Sequence, residues 1–228
     1  MTKLALRILM ALLFLAAPGI SSDSLRAAQS IRTTQKTLVI DPGHGGSDTG
    51  IAASSGPNEK EATLALAKQI ARLLDNRYNV RLTRTEDIQI PPAERAAHAN
   101  QNRADFFLSL HLHGRKIGPG MIFYFDNPGG SRSSQPDSWR DQPLILQAES
   151  RKAAAVLSNA LSGQAIKVSV VPAPAPVLEG TLMPALVMEP FSLSILAAPE
   201  NREAVLTRFS EAISRGIDRI LKTLPSNP

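Results

Sequence analysis

The sequence predicts an α/β fold: a single domain on a mostly parallel, twisted sheet with helices on both faces. Two observations carry that reading. Short apolar or alternating runs of strand length recur along the chain, and stretches with helical spacing separate them. Such alternation is the pattern of a largely parallel sheet with crossover helices. With 228 residues and 43% hydrophobic content, the chain can bury one good core, and a second domain is not needed.

Taken in order, the first strand is Thr37 to Asp41, an apolar run (Leu38, Val39, Ile40) that ends in the turn Asp41-Pro42-Gly43. A helix then starts at Asn58 as N-cap and runs to about Asn76, its apolar face made by Leu66, Ile70, Leu73 and Leu74. Glu61 falls at the capping-box position. Tyr78 to Thr83 alternates as a strand. Pro91 and Pro92 open a second helix through Ala93 to Asn102, and Ala104 to His111 and Met121 to Phe125 are strands. The Gly/Ser/Pro-rich segment from Asp126 to Pro143 is the longest loop signal, and a helix follows from about Leu144 to Leu161. Ile166 to Val171 and Pro184 to Glu189 are strands, joined through Pro172 to Pro176 as an extended linker. A closing helix spans about Glu200 to Leu221, with Val205, Phe209, Ile213, Ile217 and Ile220 on its apolar face.

The amino terminus reads as an export signal over residues 1–22. Lys3 and Arg7 precede the apolar stretch Ile8 to Ala17, and small residues follow it. That stretch is too short to span a bilayer. Residues 23–36 are a polar leader, and 37–224 form the folded domain. The expected location is therefore exported, in the periplasm or cell envelope. There is no cysteine, so neither a disulfide nor a lipidated cysteine is available. Without Lys3 and Arg7 the balance is 23 basic against 20 acidic residues, or +3. So small an excess suits a soluble protein or an anionic wall polymer. Nucleic acid is not supported, because aromatics are 4% and no basic-aromatic platform appears.

Three strands end in groups that bind metal or move protons: His44 after the first, His111 after FLSL, and Glu189 after ALVM. In an open parallel sheet the ligand site lies outside the carboxyl ends of the strands, so these groups are placed to converge. His44 sits among glycines that leave an imidazole uncrowded, although an ordinary turn with an incidental histidine explains that loop too. Glu59 opens a helix at the same edge, where the helix dipole is also reason enough for an acid. Two histidines and a carboxylate form a common catalytic zinc set, with a further carboxylate needed to handle the water's proton. His44, Glu59 and His111 fit the first job and Glu189 the second, but spacing alone does not settle this.

The ordered set DPGHGG, Glu59-Lys60, LTRT (Leu82 to Thr85), ERAAHAN (Glu94 to Asn100), FLSLH and PALVME resembles the zinc-dependent N-acetylmuramoyl-L-alanine amidases of bacterial cell walls. The resemblance runs from about Thr37 to Glu189. It implies that His44, Glu59 and His111 bind Zn2+ and that Glu189 is the catalytic glutamate. The bond cut would join the lactyl group of N-acetylmuramic acid to L-alanine of the stem peptide. It further implies peptidoglycan as partner and a monomer without stable membrane insertion, and it leaves room for a protein activator.

The chain departs from the family's pattern at two places. Leu112 and His113 follow His111 where Ala-Asn is usual, which makes His113 a substrate-binding or substitute ligand candidate against a default of a solvated loop histidine. Pro190-Phe191-Ser192-Leu193-Ser194 follows Glu189 where Gly-Phe and Ser-Asn are common. Arg84 and Arg95 match family positions, and a surface ion pair or helix-face charge explains each equally well. His98 reads as a surface or packing residue, and Trp139 as a sugar-stacking group or a packing anchor. Two other readings remain: a zinc peptidase acting on the stem peptide, and a wall-binding module without turnover.

Overall fold

Among the described residues, six strands form one sheet in the order β2-β1-β3-β6-β4-β5. The structure, a computed structural model, describes residues 35–116, 118–128 and 138–225. The export signal, residues 23–34 of the leader and residues 129–137 of the Gly/Ser/Pro-rich segment lie outside these residues. β1 (Thr37–Pro42) is central and buried along its length. It pairs in parallel with β2 (Asn79–Leu82) on one side and β3 (Phe106–Leu110) on the other. β6 (Ala185–Glu189) runs parallel to β3 but antiparallel to β4 (Gly120–Phe125), which β5 (Val168–Ala173) flanks in parallel. The carboxyl ends of β1, β3 and β6 and the amino ends of β4 and β5 therefore share one edge of the sheet. The expected mostly parallel sheet is found, with one antiparallel pairing.

Side chains alternate between the two faces, and both faces are covered, which is why these strands read as continuous apolar runs. On one face Leu38, Ile40, Phe106, Leu108, Leu186 and Met188 pack in a single cluster. They meet Leu66 and Ile70 of α1 (Glu59–Leu74), Leu157 of α3 (Gln147–Ser162), and Ile213 and Ile217 of α4 (Pro199–Thr223). On the other face Val39, Phe107, Ala185 and Val187 pack with Ala99 of α2 (Pro92–Gln101) and with Val177 and Leu178 of a short 3₁₀ turn. Lys36 closes the base, its ammonium donating to the carbonyls of Leu221 and Leu224 at the α4 carboxyl end, where a cation also suits the helix dipole.

Several expectations are corrected in detail. Leu73 is 41% exposed and not part of the α1 apolar face. Pro172 and Ala173 belong to β5, because Pro172 sits on an edge strand where no partner needs its N–H. The helix expected from Leu144 is preceded by a 3₁₀ segment, Trp139–Leu146, that holds Pro143, and α-helix begins only at Gln147. At the α1 start, Glu61 does accept the Asn58 N–H at 2.9 Å, as its capping role requires.

Candidate metal centre

β1 ends in a loop whose backbone would not hold its shape alone. His44 has φ +60°, a left-handed conformation that a residue with a Cβ adopts at a cost of about 1 kcal/mol. Two buried arginines hold it. Arg84, 2% exposed, donates to the carbonyls of Pro42 (3.0 Å), Gly43 (2.8 Å) and Lys60 (2.7 Å). Arg95, 5% exposed, donates to Pro42 and His44 carbonyls, each at 2.8 Å, and to the Asp41 carboxylate at 2.8 Å. Asp41 is fully buried in β1 and also accepts from Ser109 and Thr83. Neither arginine is the surface charge expected from sequence. The clue was Asp41 itself, since a carboxylate inside an apolar strand requires a buried counter-charge.

This scaffold brings His44, Glu59 and His111 together. His44 Nε2 and Glu59 Oε1 are 3.1 Å apart, His111 Nδ1 is 3.1 Å from His44 Nε2, and His111 Nδ1 is 3.1 Å from Glu59 Oε1. The three donors form an equilateral triangle. The second His44 nitrogen, Nδ1, lies 2.8 Å from Asp48 Oδ2, and Asp48 Oδ1 accepts the Gly50 N–H at 3.0 Å. With Nδ1 protonated toward that acceptor-only carboxylate, Nε2 can turn its lone pair to a cation in the triangle in place of the proton it otherwise shares with Glu59. Glu59 is held from both sides, with Oε1 accepting from Leu112 N–H and Oε2 from Ile51 N–H, both at 2.9 Å. Close packing depends on Gly50: a Cβ there would lie 2.5 Å from the His44 ring and 2.7 Å from Glu59 Oε2.

The electrostatics follow from this crowding. Burial pushes the Glu59 carboxyl up, but hydrogen bonds from His111, His44, Ile51 and Leu112 outweigh it and hold the group ionised, far below the usual carboxylate range. The Glu59 hydrogen bond raises the His44 pKa against the opposing effect of burial. Glu189, half-buried at the end of β6, moves the other way. Its burial raises the pKa, the His111 charge opposes this and the Glu59 charge adds to it. Glu189 lines a cleft of about 420 Å³ together with His44, His111 and Asp48, and the wall beyond is apolar, with Phe123, Val187 and Val177.

The donor set fits a metal ion. Bonds of about 2.0–2.1 Å in tetrahedral geometry imply donor separations of about 3.3 Å, close to the observed triangle edges. Two imidazole lone pairs and an anionic oxygen at such distances also need a proton or cation between them. Among the described residues, this is the group of three that could hold one.

His113 does not join it. The residue is 6% exposed, not solvated, and neither ring nitrogen finds a partner of good hydrogen-bond geometry. Burial and then the Arg115 charge lower its pKa, while the Arg115 backbone works weakly the other way. Its backbone is stitched to the segment after Glu189: His113 N–H donates to Phe191 O at 3.3 Å, and Leu193 N–H donates to His113 O at 3.0 Å. The two departures from the family pattern are thus a single structural feature. His98 is half-buried in α2, with its Nδ1 unpartnered. Trp139 is 54% exposed, and its ring edge lies against Gly180, where a Cβ would come within 2.6 Å. Asp48, Arg84 and Arg95 are the residues whose roles sequence reasoning missed.

The fold and the donor set together define an α/β protein with a candidate metal centre at the carboxyl edge of a mostly parallel sheet. Residues 38–219 match the family described as N-acetylmuramoyl-L-alanine amidase (Amidase_3), and the chain belongs to that family. It is 41% identical over 105 residues to the N-acetylmuramoyl-L-alanine amidase AmiA of Salmonella typhimurium, which covers 44% of this chain and 36% of that protein. The match thus spans about a third of that curated relative. The catalytic domain of CwlV, an amidase from Bacillus (Paenibacillus) polymyxa var. colistinus, superposes with TM-score 0.64 at 21% identity, covering 82% of this chain and 99% of that one. An N-acetylmuramoyl-L-alanine amidase from Clostridium difficile 630 superposes with TM-score 0.62 at 25% identity, covering 83% and 98% respectively.

Proposed function

We propose that this chain is an exported zinc hydrolase that cleaves the amide between N-acetylmuramic acid and L-alanine of the peptidoglycan stem peptide. The observation that carries the reading is the 3.1 Å triangle of His44, Glu59 and His111 donors opening on the cleft that Glu189 lines. Family membership supports the substrate class. His44 Nε2, Glu59 Oε1 and His111 Nδ1 would hold the ion. Bound zinc lowers the pKa of water to about 7 and polarises an amide carbonyl. Glu189 is then the base that takes a proton from water and the acid that delivers it to the leaving amine, a role that its burial-raised pKa suits. Asp48 orients His44, and the two arginines hold the loop that presents it. The apolar wall of Phe123, Val187 and Val177 limits water on that side of the reacting bond.

The export signal and an envelope location belong to this proposal. No helix among the described residues is long and apolar enough to cross a membrane.

Mass spectrometry of soluble products from purified peptidoglycan tests the reading. Free stem peptides beginning at L-alanine, lost with chelator and restored by zinc, are expected. Stem peptides shortened at their far end would replace the proposal with a peptidase. Absence of products while the protein sediments with the wall would replace it with a binding module.

A second expectation concerns Asp48, whose side chain is 49% exposed and whose removal should leave the fold intact. Asp48→Ala should weaken zinc binding about 10- to 100-fold, as loss of a histidine-orienting carboxylate does. Competition with a chromogenic chelator measures this, and unchanged affinity would remove Asp48 from the site.

A further inference from the structure

At the same edge of the sheet as the candidate metal centre, but lined from the opposite face, lies a second pocket of about 530 Å³. Its floor is apolar, with Phe191 and Phe209 in ring contact at 4.4 Å, and its inner wall is the buried His113. Around the mouth stand Lys116, Lys167 and Arg208, all exposed. No acidic residue lines it. Among the described residues, none of these three cations pairs with a carboxylate, and Arg208 donates only to the Gln164 carbonyl, at 3.2 Å. Three uncompensated cations over an apolar floor attract an anion that brings apolar bulk with it.

The topology says where such a ligand comes from. Pro190 follows Glu189 directly and lines the pocket, and Gly120 is packed so closely there that a Cβ would sit 2.6 Å from Pro190 O. A chain leaving the bond over Glu189 reaches the cations by passing the end of β6 at Pro190. The 420 Å³ cleft offers no such partner, because the cation lining it, Arg95, is already paired with Asp41, and Asp48 and Glu189 there are acids.

We propose that this pocket binds the carboxylate-bearing far end of the stem peptide, with Lys116, Lys167 and Arg208 as its specificity determinants. The proposal rests on the amidase reading for the identity of the peptide. The pocket is lined by His113 and by Pro190 to Ser192, which belong to the two stitched stretches where this chain leaves the family's usual residues.

The test measures binding, so that it does not depend on turnover. Tetrapeptides beginning with L-alanine, as free acid and as carboxyl-terminal amide, are titrated into the full protein by calorimetry at low and high salt. The free acid should bind about tenfold more tightly at low salt, the advantage shrinking as salt rises, as exposed charge pairs do. In the variant K116Q/K167Q/R208Q the two peptides should bind alike. K116Q/K167Q serves as a second variant that keeps the Arg208 contact to Gln164, and should show an intermediate preference.

Equal binding of acid and amide to the unaltered protein, or a preference that survives in the triple variant, would overturn the proposal. A protein that shows the preference yet releases no stem peptides from peptidoglycan would keep this site and lose the amidase reading. The reverse result would lose the site alone.

Discussion

Glu189→Gln is expected to lower the release of stem peptides about 10²- to 10⁴-fold, the range that a positioned general acid-base group contributes. Zinc content should not change, because Glu189 lies outside the His44, Glu59 and His111 triangle. The amide keeps the shape and hydrogen-bonding reach of the carboxylate but can neither take nor return a proton. In the unaltered enzyme activity should fall as pH drops through the pKa of Glu189, since only the ionised form is a base. Burial raises that pKa in the metal-free protein, and the charge of a bound dication would oppose the rise. In the variant this acid limb should disappear from whatever rate remains. Single-turnover assays with elemental analysis of the dialysed protein give both readings. Retained activity would dismiss Glu189 as the proton carrier, and zinc loss with activity loss would make it a ligand.

Arg95→Ala should be the most destabilising of the changes considered, by about 3–5 kcal/mol, because it leaves the Asp41 carboxylate buried and uncompensated. For a domain of this size that corresponds to a fall in Tm of roughly 10 °C. It should also weaken zinc binding, since the His44 carbonyl loses its 2.8 Å donor in a left-handed turn. Arg95→Lys should recover only part of this, because an ammonium cannot reach Asp41, Pro42 and His44 at once as the guanidinium fork does. Adding Asp41→Asn to Arg95→Ala should restore a good part of the stability but not the zinc affinity, since the buried charge is gone while the loop stays unheld. Thermal melts and chelator competition on the four proteins test this. A loss under about 1 kcal/mol for Arg95→Ala would show that the pair contributes little.

Much of the molecule was legible in its residues. The strands, α1 and α4 follow from apolar periodicity, α2 from the Pro91-Pro92 pair that opens it, and Glu61 from its place three residues after Asn58. His44, His111 and Glu189 were visible as chemistry-bearing groups at strand ends, because a parallel sheet sends its carboxyl ends to one edge. The 3.1 Å distances join His44 and His111 to Glu59, and Glu189 lines the same cleft as the two histidines.

What the sequence could not convey is which polar groups lie inside. Arg84 and Arg95 look like any helix-flanking or turn arginine, yet both are buried because three consecutive carbonyls, from Pro42 to His44, turn toward them. His113 looks like a loop histidine, yet pairing with the segment after Glu189 closes it from solvent. Periodicity reports the face on which a residue sits relative to its own element, so the sequence by itself determined the sheet, its covering helices and the edge that carries the chemistry. Only the tertiary structure decided the loop conformation, the orienting role of Asp48 and the cationic pocket beyond Pro190. The loop conformation and the pocket depend on contacts between segments far apart in the chain, and no local pattern records them.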